Sequence, residues 1–156
     1  MIKVFVKAWD ANQNKLKEHF HTHKMEEYDA YKKLVLLLFG IVINPYLERT
    51  GRRIFNLDLV HEIDDGKCHG TLLYVIPRVN PDPTERDYVL TNISYGSCPL
   101  CDWLEEIQTN QDTNHDYLIP TEEQVSEHMT LCLHLLQKCI IPYGAEDDDD
   151  KEPCFQ

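Results

Sequence analysis

The segment that most constrains the fold is residues 88–103, which read YVLTNISYGSCPLCDW. Side chains in its first half alternate between two faces, which is typical of a strand. Gly96 and Ser97 then break the strand, and Ser97 can cap a following helix. The sequence therefore predicts a strand, a tight turn and the start of a helix, with the cysteine pair Cys98 and Cys101 in the first turn of that helix.

A hairpin is predicted upstream of this segment. Residues 54–63 and residues 70–79 both alternate, and the Asp-Asp-Gly sequence at positions 64–66 has the composition of a hairpin turn. Together with the strand at residues 88–95, these runs predict an antiparallel meander. Alternation over residues 1–8 predicts a further strand at the start of the chain.

Helices are predicted on either side of this meander. Apolar residues recur at helical spacing in a stretch that starts near position 15 or 24, and Asn44-Pro45 is expected to end it because the residue before proline disfavours helix. A short helix is predicted over residues 98–108. Thr121 and Gln124 form a capping pair for a C-terminal helix that runs to Ile140.

The predicted order is β-α-β-β-β-α-α, an α+β fold in which an antiparallel sheet packs against a long helix and a C-terminal helix. Residues 1–142 are expected to form a single domain. Residues 143–156 contain a run of acidic side chains that repel one another, so a flexible acidic tail is expected there.

Charge is unevenly distributed along the chain. The 156 residues carry 15 basic and 27 acidic side chains, for a net charge of −12. Residues 1–53 hold 10 basic and 6 acidic residues, so residues 54–156 hold the other 5 basic and 21 acidic ones, a balance of −16. Direct binding to nucleic acid is disfavoured, because it needs Lys and Arg opposite the phosphates.

An acidic surface suits a basic protein partner, including one whose own ligand is DNA or RNA. The surface would then resemble DNA to that partner. Acidic residues that only keep a small protein soluble are the alternative interpretation. The residues assigned to a partner surface are acidic side chains of the predicted hairpin, the short helix and a polar loop: Asp64, Asp65, Glu105, Glu106, Asp112 and Asp116.

The cysteine pair also fits a metal site. Two thiolates separated by two residues can bind one zinc ion, and Cys68, His69 and His115 are candidates by type for the remaining two ligands, of which Cys68 and His69 are assigned to the site. No second pair with standard spacing is present, so Cys98 and Cys101 make half a motif. A thiol-redox site with a lowered Cys98 pKa is a further alternative. Thiols that only pack are the preferred interpretation, which implies no cofactor, with zinc as the alternative.

Two other groups of metal-binding residue types are interpreted as structural. His19, His21 and His23 would splay around a helix axis and are expected to be solvated. Cys132 and Cys139 lie seven residues apart on the apolar face of the last helix, where a free cysteine acts as a small hydrophobic residue.

Sequence patterns of several enzyme classes and of membrane proteins are absent. The chain contains no Gly-rich phosphate loop, no Gly-x-Ser-x-Gly and no His-Glu-x-x-His. The longest apolar run spans residues 34–43, which is half of the roughly 20 residues needed to cross a bilayer. The first residues do not form a signal peptide pattern. We therefore expect a cytoplasmic protein that is not an enzyme and binds no membrane.

Four strings resemble a group of small proteins from bacteriophages and prophages of Gram-positive bacteria: EIDDG at residues 62–66, GTLLYVIP at 70–77, SYGSCPLCD at 94–102 and MTLCLHLLQ at 129–137. The resemblance covers residues 58–138 and implies no catalytic residue. It implies a phage accessory protein that acts inside the bacterial host cell. Such proteins often bind and inhibit or modulate a host or defence protein, here through the acidic surface.

Overall fold

The computed structural model describes residues 2–25, 31–67, 69–79, 87–96 and 120–141. The chain opens with helix α1 (Ile2–Thr22), so the strand predicted over residues 1–8 is wrong, and the predicted order is wrong at its first element. Val4, Phe5 and Ala8 are buried, whereas Val6 is 54% exposed. Burial at positions i, i+1 and i+4 is a helical pattern, and it outweighs the alternation of residue types.

A second helical stretch consists of α2 (Tyr31–Leu37), a π-helical segment (Leu38–Ile43) and α3 (Asn44–Arg49). A single helix that starts near position 15 is therefore wrong, because residues 23–25 after α1 are not helical, and a start at position 24 falls in the same non-helical segment. Asn12 ties α1 to the second stretch, since its side-chain amide donates a hydrogen bond to the carbonyl of Val42 at 2.9 Å.

The helical stretch continues through Pro45, so the predicted end at Asn44-Pro45 is wrong. The amide of Asn44 bonds to the carbonyl of Phe39, five residues back, which is the wider π-helical spacing. Pro45 then lies in the first turn of α3. A proline is tolerated there because its missing N–H has no partner to lose.

Three strands form an antiparallel meander in the order β1 (His61–Asp64), β2 (Gly70–Pro77) and β3 (Tyr88–Tyr95), as predicted. The register pairs Glu62 with Tyr74 and Tyr74 with Thr91. The strand predicted over residues 54–63 shortens to β1, because the residues before it take other structures.

Two side-chain interactions account for this shortening. The side-chain amide of Asn44 donates a hydrogen bond to the carbonyl of Phe55 and accepts one from the Phe55 N–H, both at 2.9 Å. Phe55 also forms an isolated backbone bridge with Arg78. The side chain of Asn56 accepts from the amide of Asp58 at 3.1 Å and starts a 3-10 turn. These contacts leave the segment beside α3 and joined to the end of β2 by an isolated bridge only.

The C-terminal helix α4 (Glu122–Gln137) begins at the predicted capping box. Thr121 and Gln124 exchange side-chain to backbone hydrogen bonds of 3.0 and 3.1 Å. The helix ends before Ile140, which instead exchanges backbone hydrogen bonds of 2.9 and 2.7 Å with Leu90 of β3. The chain after α4 therefore returns to the edge of the sheet.

One face of the sheet and the helices share a single buried core. Thr91 joins β3 to α4 within this core, because its hydroxyl donates a hydrogen bond to the carbonyl of Leu135 at 2.6 Å. Alternate residues of β2 and β3 form the buried face: Leu72, Tyr74, Ile76, Val89, Thr91 and Ile93.

The α+β class, the antiparallel sheet, a long helix and the C-terminal helix are thus confirmed. The helix predicted over residues 98–108 and the tail at residues 143–156 lie outside the described residues. Among the helices that the structure describes, none is both long and apolar enough to cross a bilayer.

Candidate interaction surface

The β1–β2 turn is built by two aspartates and a glycine. The carboxylate of Asp64 accepts from the amide of Gly66 at 3.0 Å, and that of Asp65 accepts from the amide of Thr71 at 2.6 Å. A Cβ at position 66 would overlap the carbonyl oxygen of His69. This close approach of two backbone segments explains why the turn has glycine at position 66.

Tyr95 at the end of β3 also holds this turn. Its hydroxyl donates to the same Asp64 oxygen at 2.6 Å. These two hydrogen bonds, first from Tyr95 and then from Gly66, hold the pKa of the Asp64 carboxyl below its ordinary value. Asp64 is therefore a fixed negative charge at neutral pH.

The hairpin and the residues before it present an acidic surface. All four residues of β1 are exposed, and β1 lies at the edge of the sheet. Four exposed carboxylates and one lysine lie between positions 58 and 67, and we call the carboxylates the hairpin acids: Asp58, Glu62, Asp64 and Asp65. Two of them, Asp64 and Asp65, belong to the predicted partner surface.

The other predicted partner residues cannot be placed against this surface. Glu105, Glu106, Asp112 and Asp116 lie outside the described residues. Their assignment stays a prediction.

Of the four residues assigned to the predicted zinc site, only His69 is among the described residues. His69 lies exposed beside β2, whereas Cys68, Cys98 and Cys101 lie outside the described residues. Within the described ranges, no group of three or more His, Cys, Asp or Glu side chains is arranged to hold a metal ion. The four-residue set stays a prediction.

The prediction that the three histidines near the end of α1 splay around the helix is confirmed for His21 and is wrong for His19 and His23. His19 and His23 stack with ring centroids 4.3 Å apart, while His21 approaches Glu122 of α4 at 3.4 Å on another side. Partial burial, followed by the charges of His23 and Lys33, lowers the pKa of His19.

Of the two cysteines expected on the last helix, Cys132 packs in the core as expected, whereas Cys139 lies beyond the end of α4 and is half-buried against the core. Cys132 is fully buried, and burial raises the pKa of its thiol. Burial also raises the pKa of Cys139 to about 12, against a smaller opposite effect of Thr91. Both thiols are therefore protonated and poor nucleophiles at neutral pH.

A buried histidine was not identified from the sequence. His128 in α4 stacks on Phe20 of α1 with ring centroids 5.1 Å apart, and its buried Nε2 has no hydrogen-bond partner among the described residues. Burial lowers its pKa to about 4, despite the opposing backbone hydrogen bond at Gln124 and the charge of Glu127. His128 is thus neutral at physiological pH.

An apolar groove between α1 and α4 was also missed, because residues 1–8 were interpreted as a strand. The groove has a volume of about 290 Å³ and is lined mainly by apolar side chains, including Phe5, Val6, Trp9, Leu133, Leu136 and Ile141. A helical interpretation would have aligned Phe5 with Trp9 one turn later.

Comparisons with known proteins give no further assignment. No protein-family model matches the chain, and no curated protein or solved structure is significantly similar to it.

Proposed function

We propose that this chain is a non-enzymatic phage accessory protein that binds and inhibits or modulates a bacterial host or defence protein through its acidic surface. The observation that carries the proposal is the balance of −16 over residues 54–156, of which the hairpin acids form an exposed part. The resemblance of residues 58–138 to phage and prophage proteins supplies the context.

The hairpin acids suit electrostatic recognition of a basic protein surface. Exposed like charges raise the rate of encounter with an oppositely charged partner, and added salt screens this effect. Asp64 and Asp65 are held by hydrogen bonds to Gly66, Tyr95 and Thr71, so little conformational entropy is lost when a partner binds there.

The ionisable groups of the described residues favour binding over catalysis. Among the described residues, Tyr74, Cys132 and His128 have strongly shifted pKa values and are buried in the core, where a substrate does not reach them. Cys139 lines the groove, and burial raises the pKa of its thiol, so it is protonated and a poor nucleophile at neutral pH. The groove between α1 and α4 is lined mainly by hydrocarbon side chains. Neither place brings a nucleophile and a base together in an open cleft.

A capture experiment tests the proposal. The tagged protein is incubated with a lysate of a Gram-positive bacterium at low and at high salt, and bound proteins are identified. The double variant Asp58→Lys/Glu62→Lys changes the charge of the hairpin. Glu18→Lys/Glu123→Lys makes the same charge change at exposed helix positions and serves as the control.

We expect a basic protein that is retained at low salt and released at high salt. The hairpin variant should lose it and the control should keep it, because the contact depends on where the charge lies. Failure to retain any protein at low salt, or equal loss in both variants, would contradict the proposal.

A further inference from the structure

The groove between α1 and α4 lies at a part of the surface whose charge is opposite to that of the protein as a whole. Lys3 and Lys7 flank Val6 along α1, and Lys138 lies between two residues that line the groove, Gln137 and Cys139. In residues 2–25 and 120–141, Asp10 is the only acidic residue within four positions of a lining residue. Within these two described ranges, the charged residues nearest in sequence to the lining residues are therefore mainly basic, although the chain carries −12.

The lining of the groove is suited to large apolar side chains. The aromatic rings of Phe5 and Trp9 contribute from α1, and Leu133 and Leu136 contribute from α4. Val6 and Ile140, at and beside the groove, are 54% and 56% exposed. A groove between two helices with an apolar floor is a common docking site for an amphipathic helix.

The two helices hold the groove in a fixed shape. Phe5 is buried among Phe39 and Phe55, with ring centroids 6.0 and 6.2 Å away. On the other side, Thr91 bonds to Leu135, and Ile140 pairs with Leu90 of the sheet. A partner would therefore meet a preformed groove and lose less entropy on binding.

We propose that this groove binds an amphipathic helix of a protein partner, whose apolar face fills the groove and whose flanking acidic residues face Lys3, Lys7 and Lys138. This site is separate from the hairpin acids and takes a partner segment of the opposite charge. It stands on its own observations and does not require the proposed function.

The probe for this site is a displayed library of amphipathic helical peptides, selected against the full chain. Affinities of the enriched peptides are then measured by fluorescence anisotropy. Val6→Glu places a charge in the groove, and Val79→Glu is its matched control, because Val79 is 47% exposed outside the groove. Lys138→Glu reverses a rim charge, and Lys15→Glu makes the same change at an exposed site of α1 away from the lining residues.

We expect the enriched peptides to carry acidic residues beside apolar anchors. Val6→Glu should weaken their binding by about tenfold or more, as for loss of a buried anchor contact, and Val79→Glu should leave it unchanged. Lys138→Glu should weaken it by about threefold to tenfold, because attraction becomes repulsion. The rim variant changes no core residue, so it tests the site even where Val6→Glu fails to fold.

Several results would overturn the proposal. The first is a selection that enriches no peptide, and the second is enrichment of basic peptides. The third is that Val6→Glu and Val79→Glu change the peptide affinity equally while Lys138→Glu leaves it unchanged. A dimer in sedimentation equilibrium that Val6→Glu dissociates would assign the groove to a second copy of the chain. Peptide binding that appears only in a chain ending at Ile141 would assign it to residues 142–156. A failed capture by the hairpin acids changes none of these outcomes.

Discussion

The hydroxyl of Tyr95 donates a hydrogen bond to the Asp64 carboxylate at 2.6 Å and so joins the end of β3 to the β1–β2 turn across the sheet. The contact connects two regions that were assigned different roles from the sequence. Tyr95 lies just before the cysteine pair, and Asp64 belongs to the predicted partner surface. Asp64 therefore contributes to folding as well as to surface charge, and variants that test binding are better placed at Asp58 and Glu62.

This hydrogen bond makes a prediction about the titration of Asp64. Because the Tyr95 hydroxyl is the largest cause of the lowered pKa, Tyr95→Phe should raise the Asp64 pKa towards its ordinary value. The pKa is measured by NMR from the side-chain carboxyl chemical shift as a function of pH. Tyr88→Phe changes the other end of β3 and should leave it unchanged. Equal titration curves in all three proteins would contradict the contact.

His128 predicts a loss of stability in mild acid. Its folded-state pKa of about 4 lies below the ordinary value of 6.5, so the unfolded chain takes up a proton first as the pH falls. The stabilisation is complete above pH 6.5 and is lost as the pH falls towards 4. Between pH 7.5 and 5 the loss is about 2 kcal/mol from this residue.

Urea unfolding at the two pH values measures this loss. His128→Met removes the titrating group from the core, and its unfolding free energy should vary less with pH by about that amount. His69→Gln removes an exposed histidine outside the core and serves as the matched control. A pH dependence in His128→Met that equals that of the wild type would show that His128 is not buried in its neutral form.

The turn and the π-helical segment predict opposite effects of the same substitution. Gly66→Ala places a Cβ against the backbone carbonyl of His69 and should destabilise the fold by about 2 kcal/mol. Gly40→Ala meets only Leu57, at 3.4 Å, and should stabilise it by up to about 1 kcal/mol, because alanine favours helix over glycine. Chemical denaturation of both variants gives the two values. Equal signs would contradict one of the two local geometries.

Buried hydroxyls in the core predict a second contrasting pair. Thr91→Val removes the 2.6 Å hydrogen bond to the Leu135 carbonyl and leaves that carbonyl with one bond fewer, at a cost of about 1–2 kcal/mol. Within the described residues the buried Tyr74 hydroxyl makes no direct hydrogen bond, although burial and then the Glu62 side chain of the paired strand, which interacts with it, raise its pKa. Tyr74→Phe should therefore cost less stability than Thr91→Val, since it removes no direct hydrogen bond. Thermal unfolding of both variants compares them, and a larger loss in Tyr74→Phe would contradict this assignment.

The sequence predicted those turns and helix caps that depend on hydrogen bonds between a few neighbouring residues. The capping box of Thr121 and Gln124 and the Asp-Gly turn at Gly66 are present, because each depends on side chains and amides within a few positions of sequence. The β3 strand is also present, although its hydrogen-bond partners in β2 are more distant in sequence.

The predictions that failed depended on distant contacts. Residues 1–8 alternate in residue type, yet Phe5 is buried against Phe39 and Phe55 while Val6 is exposed. The pattern over eight residues fits either period, and tertiary packing decides between them. The helix through Pro45 likewise depends on a π-helical turn that residue propensities do not indicate.

The candidate surface was predicted in part. Asp64 and Asp65 are exposed as expected, because polar turns between strands generally lie on the protein surface. The groove between α1 and α4 was missed because it requires two helices from opposite ends of the chain.

The most direct test of the central claim is the association rate of the purified captured partner with the hairpin variant and its control, measured as a function of ionic strength. The wild type and Glu18→Lys/Glu123→Lys should associate at similar rates that fall with added salt. Asp58→Lys/Glu62→Lys should associate about tenfold more slowly at low salt, because the charge that speeds the encounter is reversed. Equal rates for both variants, or a rate independent of salt, would contradict recognition through the acidic surface.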